Sequence, residues 1–180
     1  MGQYYKPILL EVTNGEYTPI QWVYSHRVKS TYKRDDGSKF RVGSGLKLTE
    51  HSWLNNSFVN SVENLLVEGG PWYKKPIVWA GDYGKKELAG ESLYSMATDD
   101  KELITNKRRI LKRVRYIVNH TQKTFVDKQK VPGIDGWHLH PLPLLTCEGN
   151  GQGGGDYFGE DPNNLVGSWA RNVISIEEKI

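Results

Sequence analysis

The sequence has little sulfur and no long apolar segment. Cys147 is the single cysteine among 180 residues, which excludes an internal disulfide framework and is typical of a reducing compartment. No apolar run approaches the roughly 20 residues that a membrane-spanning helix needs. The first residues, Met1–Lys6, lack both the apolar core of a signal peptide and the Ser or Thr of a myristoylation signal. We therefore expect a cytoplasmic protein that has no membrane partner.

A strong charge imbalance is also missing. The formal net charge is +3 and the sequence pI is about 8.8, which is mildly basic and does not indicate a dedicated nucleic-acid-binding protein. The densest basic run, Lys107–Arg115, is of a kind that usually forms a solvated surface. Nucleic acid is therefore not the expected partner. A nucleic-acid or protein interaction module that uses this run is kept as an alternative hypothesis.

Three familiar catalytic or nucleotide-binding motifs are absent. The sequence has no G-x-S-x-G, no H-E-x-x-H and no P-loop ending in Gly-Lys-Ser/Thr. Gly149, Gly151 and Gly154 do match the letters G-x-G-x-x-G, but Asp156 and Pro162 argue against the long helix that a dinucleotide fold needs there. The cofactor, if the protein uses one, is therefore unknown from the sequence.

Aromatic residues and turn signals predict the fold class. Six Trp and ten Tyr favour strands, and Asn14-Gly15 and Asp36-Gly37 are hairpin turn sequences. One clear helix begins at Asn55 or Asn56, and a second, short helix is predicted over Glu87–Met96. The predicted strands are Tyr4–Val12, Tyr17–Ser25, Lys29–Tyr32, Lys39–Val42, Leu46–His51, Pro76–Ala80, a strand that ends at Val118, Thr124–Val126, Trp137–His140, Leu142–Cys147 and Val173–Ile176. We expect an α+β fold over residues 1–180, a single domain with a mostly antiparallel sheet and one or two covering helices.

The most unusual stretch is Trp137–Tyr157, which joins two histidines to a glycine-rich segment. Successive backbone N–H groups in such a segment can form a concave nest for an anion. A flexible surface loop is the alternative interpretation. On a strand, His138 and His140 point to the same face, where they can share a metal ion, act as acid and base, or bind a phosphate. Two half-buried histidines at a sheet edge are the structural alternative, and no metal ligand is assigned.

These residues lead to two sets of candidates. The catalytic candidates are His138, His140, His120 and Asp82; the ligand-binding candidates are His51, Gly151, Gly153, Gly154, Gly155, Asp156, Tyr157, Trp137 and Arg171. The main hypothesis is a protein that binds a nucleotide-derived or other phosphorylated small molecule, with the glycine segment and the imidazoles facing one cavity. The alternative is a hydrolase, metal-dependent or not, that acts on a phosphoester bond through His138 and His140. Oligomeric state is left open.

Several motifs along the chain resemble a family of short bacterial and phage proteins. They are the start Met1–Tyr5, Gly45–Leu48 with Glu50–Ser52, Trp79–Tyr83, Asn119–Thr121, His140–Thr146, Gly149–Gly151 and Gly153–Tyr157. No activity is attached to this family, so the resemblance implies no catalytic role. A phage context implies interference with host nucleotide signalling as one possible setting.

Overall fold

The computed structural model describes residues 2–105, 113–131, 133–134, 137–149, 156–157 and 164–180. Eleven strands, four α-helices and three 3-10 turns lie within these ranges. The strands are β1 (Tyr5–Thr13), β2 (Glu16–Trp22), β3 (Lys29–Lys33), β4 (Lys39–Gly43), β5 (Lys75–Gly81), β6 (Tyr116–Asn119), β7 (Thr124–Asp127), β8 (Gly133–Ile134), β9 (Trp137–His138), β10 (Cys147–Glu148) and β11 (Val173–Glu177). The helices are α1 (Leu48–His51), α2 (Ser57–Leu66), α3 (Leu93–Met96) and α4 (Pro141–Thr146).

Strand β5 organises the main sheet, whose order is β2-β1-β5-β11-β6-β7. One edge of β5 pairs antiparallel with β1 along its length. The other edge is divided: β11 pairs antiparallel near Pro76, whereas β10 pairs parallel at Trp79 and Ala80. This division places Glu148, and with it the start of the glycine-rich segment at Gly149, near the end of the central strand.

Both faces of the sheet are covered, as the side chains of β5 show. Ile77 and Trp79 point into a large core beneath α2, whereas Val78 and Ala80 point into a smaller cluster that includes Leu93 of α3. Side chains alternate between faces along a strand, so a continuous apolar run is what a strand buried on both sides requires. This is the predicted α+β domain with a mostly antiparallel sheet, and the prediction is confirmed.

The turn signals and the long helix lie where the sequence predicts them. Asn14 and Gly15 both have positive φ between β1 and β2, which a tight two-residue hairpin turn requires. Helix α2 begins after Asn56, whose side-chain oxygen accepts from the N–H groups of Phe58 and Val59 at 2.9 and 3.2 Å. The sequence is sufficient to predict the hairpin turn and the helix start because the interacting residues are neighbours along the chain.

Two predicted strands are wrong. The segment Leu46–His51 contains α1 rather than a strand, and Glu50 Oε2 accepts from the Lys47 N–H at 3.0 Å across its first turn. The segment Leu142–Cys147 is mostly α4. Its prolines, Pro141 and Pro143, lie in the first turn, where backbone N–H groups have no partner within the helix and proline is tolerated.

The predicted helix Glu87–Met96 is shorter than expected. Only Leu93–Met96 is helical, with Ser92 as its N-cap. The preceding residues form a turn in which the Glu87 N–H donates to Glu91 O at 2.8 Å, and Gly90 has φ of 84°. No helix in the described residues is long and apolar enough to cross a membrane.

The Asn56 cap gives a stability prediction. Substitution Asn56→Ala removes the acceptor for two N–H groups at the start of α2, so the free energy of unfolding should fall by about 1 kcal/mol. Urea denaturation measures this change. Asn56→Ser keeps a capping oxygen and should lie within a few tenths of a kcal/mol of the parent protein. Equal losses in the two variants would show that the cap is not the cause.

Candidate functional site

His51 is held in the core by both ring nitrogens. The ring is 0% exposed, Trp79 Nε1 donates to His51 Nε2 at 2.9 Å, and His51 Nδ1 lies 3.0 Å from Gly45 O. An indole N–H can only donate, so Nε2 must be unprotonated and Nδ1 must carry the proton. Burial lowers the pKa of His51 to about 4, although the bond to Gly45 opposes the shift. The structure therefore shows His51 as a neutral link between α1 and β5.

His140 belongs to a different buried network. Its ring is 0% exposed, and Nδ1 accepts from the Leu142 N–H at 3.1 Å, which caps α4. Nε2 then carries the proton and donates to Glu63 Oε1 of α2. The second oxygen of Glu63 accepts from Lys128 Nζ at 2.7 Å. Residues that are far apart in sequence thus tie α2, α4 and the turn after β7 together.

Glu63 remains a carboxylate in this network. Burial alone would raise the pKa of Glu63, but the interactions with His140 and with the Lys128 ammonium outweigh it, and the pKa lies below its ordinary value. A buried charge requires a partner of opposite sign and filled hydrogen bonds. Lys128 provides a positive charge, and His140 provides an additional hydrogen-bond donor.

The two histidines of the predicted pair do not share a face. Strand β9 ends at His138, which is exposed, whereas His140 is fully buried as the cap of α4. The same-face expectation assumed one strand through both residues, and the turn into α4 breaks that alternation. The side chain of Trp137 lies outside the described residues.

The other two catalytic candidates lie apart from this pair. His120 is half-buried beside Ser175, with 2.8 Å between Nε2 and Oγ; burial and then the Lys74 charge lower the pKa of His120. Asp82 follows β5, and its Oδ1 accepts from the Tyr4 N–H at 3.0 Å. Asp82 thus continues the pairing between β1 and β5 past the end of the strands.

Arg171 bridges two carboxylates. Its Nε donates to Glu148 Oε2 at 2.7 Å, and its Nη1 donates to Glu87 Oε2 at 3.2 Å. Burial would lower the pKa of Arg171, but these bonds and charges raise it. Two carboxylates on one guanidinium leave a net negative charge. Arg171 therefore positions Glu148, a residue that sequence reasoning did not select.

A cavity of about 280 Å³ lies where the glycine-rich segment leaves and rejoins the described chain. Glu148, Gly149, Asp156 and Tyr157 are among the residues that line it. Tyr5 of β1 forms part of the wall, and its hydroxyl oxygen lies 3.1 Å from Gln3 Oε1. A Cβ at Gly149 would lie 2.5 Å from that hydroxyl oxygen, so a side chain at this position would force Tyr5 and Gln3 to shift.

The polar wall of the cavity is acidic. Asp156 is 3% exposed, and burial, followed by the charge of Asp156 and a hydrogen bond with it, raises the pKa of Tyr5. The described lining residues include the carboxylates of Glu148 and Asp156 and no Lys, Arg or His. Gly151, Gly153, Gly154 and Gly155 lie outside the described residues. His138 and His140 are not among the lining residues, so the two ends of the glycine segment share a cavity that the imidazoles do not.

Metal binding and known relatives provide no further assignment. Within the described ranges, no group of three or more His, Cys, Asp or Glu side chains could hold a metal ion. No protein-family model, curated protein or solved structure matches the chain. The resemblance suggested by the motifs therefore stays a prediction, and function must be inferred from the geometry.

The low pKa of His51 predicts a dependence of stability on pH. The imidazole of the unfolded protein is protonated below about pH 6.5, whereas that of the folded protein is protonated only below about pH 4. Stability is therefore lost as the pH falls through that window, by about 2 kcal/mol between pH 7 and pH 5. Urea denaturation measures the free energy of unfolding at pH 7 and at pH 5. The difference between the two values should be about 2 kcal/mol smaller in His51→Gln than in the parent protein. His138→Gln, which removes an exposed imidazole, is the matched control and should resemble the parent protein. An unchanged difference in His51→Gln would contradict the assignment.

The buried network predicts coupling between Glu63 and Lys128. Glu63→Gln leaves the Lys128 ammonium without its carboxylate and should lower the free energy of unfolding by about 3 kcal/mol. Adding Lys128→Met should recover part of that loss, because the unpaired charge is removed. A double-mutant cycle measured by urea denaturation gives the coupling energy. Additive effects would show that the ion pair contributes nothing.

Proposed function

We propose that the protein binds a small molecule of the nucleotide-derived class in the cavity between Glu148–Gly149 and Asp156–Tyr157. The observation that carries this proposal is the buried Asp156 beside the Tyr5 hydroxyl in the wall of a cavity. A volume of about 280 Å³ lies just below the range of about 300–1,000 Å³ that is typical of ligand pockets. It suits part of a small metabolite.

The charge of the lining decides how such a ligand would be oriented. Two carboxylates favour hydrogen-bond donors, such as sugar hydroxyls or an exocyclic amine, and repel a phosphate. In our proposal the nucleoside end therefore enters the cavity and contacts Asp156 and Glu148. The sequence-based prediction of a backbone nest for the phosphate concerns the glycine-rich residues 150–155, which lie outside the described residues. Tyr157 provides an aromatic surface at the rim.

Two of the polar side chains that line the cavity are held in position by other contacts. Glu148 is held by Arg171, and Tyr5 belongs to a strand that is paired on both sides. A site whose polar groups are already oriented loses less entropy on binding. No contact in the described residues favours hydrolysis over binding, and the hydrolase and the basic-run hypotheses stay predictions. Removal of a signalling nucleotide from solution would be one use of such a binding protein.

Thermal shift against a ligand panel tests this proposal. The panel contains nucleosides, nucleoside monophosphates, cyclic nucleotides and inorganic phosphate, each at millimolar concentration. A ligand present at about 100 times its Kd should raise the Tm by about 5–10 °C. Nucleotides should act more strongly than inorganic phosphate. No shift with any member of the panel, in a sample that unfolds cooperatively, would contradict the proposal.

Two Asp variants locate the binding site. Asp156→Asn removes the buried charge in the cavity wall and should abolish most of the ligand-induced shift, because a carboxylate accepts more strongly than an amide. Asp82→Asn is the matched control, since Asp82 accepts from the Tyr4 N–H and does not line the cavity. Its shift should equal that of the parent protein. Loss of the shift in Asp82→Asn alone would move the site away from the cavity.

A further inference from the structure

A second surface of the molecule concentrates positive charge. Within the described residues, strands β3 and β4 pair only with each other, and with their turn they form a two-stranded ribbon, Lys29–Gly43. The ribbon carries five cations and two carboxylates. Both carboxylates, Asp35 and Asp36, lie in the turn, and Asp36 Oδ1 accepts from the Ser38 N–H at 2.8 Å. The strands themselves therefore carry positive charge alone.

The pairing register sorts the side chains of the ribbon onto two faces. Residues directly opposite each other lie on the same face, and alternate residues share it. Tyr32 is opposite Phe40, and their rings stack 5.6 Å apart with Arg34 over Phe40. The opposite side, which we call the cationic face, contains Lys29, Thr31, Lys33, Lys39 and Arg41. All five of its side chains are exposed.

The cationic face keeps like charges close together. Lys33 is directly opposite Lys39, an arrangement that destabilises a strand pair. Within the described part of the chain, neither lysine forms an ion pair, and neither does Arg41. A polyanion laid across the face would relieve this repulsion.

We propose that the cationic face binds the phosphate backbone of double-stranded DNA. Lys29 and Lys33 are separated by about 13 Å along β3, from a rise of about 3.3 Å per residue, so the cations form an extended row. A duplex presents one negative charge per about 1.7 Å of its axis, and its major groove admits a two-stranded ribbon. A row of cations on the ribbon therefore matches a row of phosphates along the duplex.

Two other occupants fit this face less well. Proteins that bind single strands combine basic groups with aromatic platforms for base stacking, but Tyr32 and Phe40 lie on the other face. Peripheral membrane binding combines cations with apolar side chains that enter the lipid. The cationic face offers none. A phosphate backbone without base stacking is the chemistry that remains.

Binding measured by fluorescence anisotropy with a labelled 20-base-pair duplex tests the proposal. Neutralising about three or four phosphates predicts a loss of affinity of about 40- to 150-fold between about 50 and 200 mM salt. The triple variant Lys33→Gln/Lys39→Gln/Arg41→Gln should bind at least about tenfold more weakly at the lower salt concentration. Its Tm should not fall below that of the parent protein, because the substitutions remove a repulsive pair. The control Lys85→Gln/Lys86→Gln/Lys179→Gln removes the same charge from exposed lysines elsewhere and should change the affinity less than twofold.

Each contrary outcome overturns the proposal. Equal losses in the two triple variants would show a response to net charge only, and full binding by the ribbon variant would locate binding elsewhere. Tighter binding to the matching single strand would favour another mode of recognition. Binding to vesicles that contain phosphatidylserine, with the same affinity and the same dependence on Lys33, Lys39 and Arg41, would make the surface a membrane contact.

Discussion

The hydrogen bond from the Trp79 indole to His51 is the contact on which much of the core depends. Trp79 lies in the central strand, opposite Pro7 of β1 and beside Cys147 of β10. His51 passes the connection on to the backbone at Gly45. Two large rings that are 0% exposed thus satisfy each other's polar atoms without water. Removing either ring would leave the polar nitrogen of the other ring buried without a partner, at a cost of about 1–3 kcal/mol.

The need to satisfy buried polar atoms also limits which side chains can contact a ligand. His51 and His140 have both ring nitrogens occupied and neither ring is exposed. Their roles in the described structure are therefore to hold helices in place. Among the described residues, the polar side chains that line the cavity include the carboxylates of Glu148 and Asp156 and the hydroxyls of Tyr5 and Tyr157. Because β10 occupies only the end of the β5 edge, Glu148 and Gly149 are set beside Tyr5 rather than in the middle of the sheet.

Sequence reasoning succeeded where the deciding interactions are local. The hairpin at Asn14-Gly15 and the cap at Asn56 depend on residues within a few positions of one another. It failed for α4 because prolines were interpreted as strand interruptions, although the first turn of a helix accepts them. The site could not be predicted in full, because its walls come from distant parts of the chain. Tyr5 and Asp156 come from nearly opposite ends of the chain, and Glu63 meets His140 from 77 positions away. No periodicity or spacing carries such information.

Exposure to solvent explains why opposite charges are paired in the interior, whereas like charges face each other on the ribbon. In the interior, Glu63 is matched by Lys128, because an unpaired ion there would cost several kcal/mol. On the ribbon, Lys33 and Lys39 face each other in water, where the repulsion is screened to a fraction of a kcal/mol. A repulsion that small does not disturb the fold. A polyanion that binds there gains from every cation that has no internal partner, so an arrangement that contributes nothing to stability is well suited to recognition.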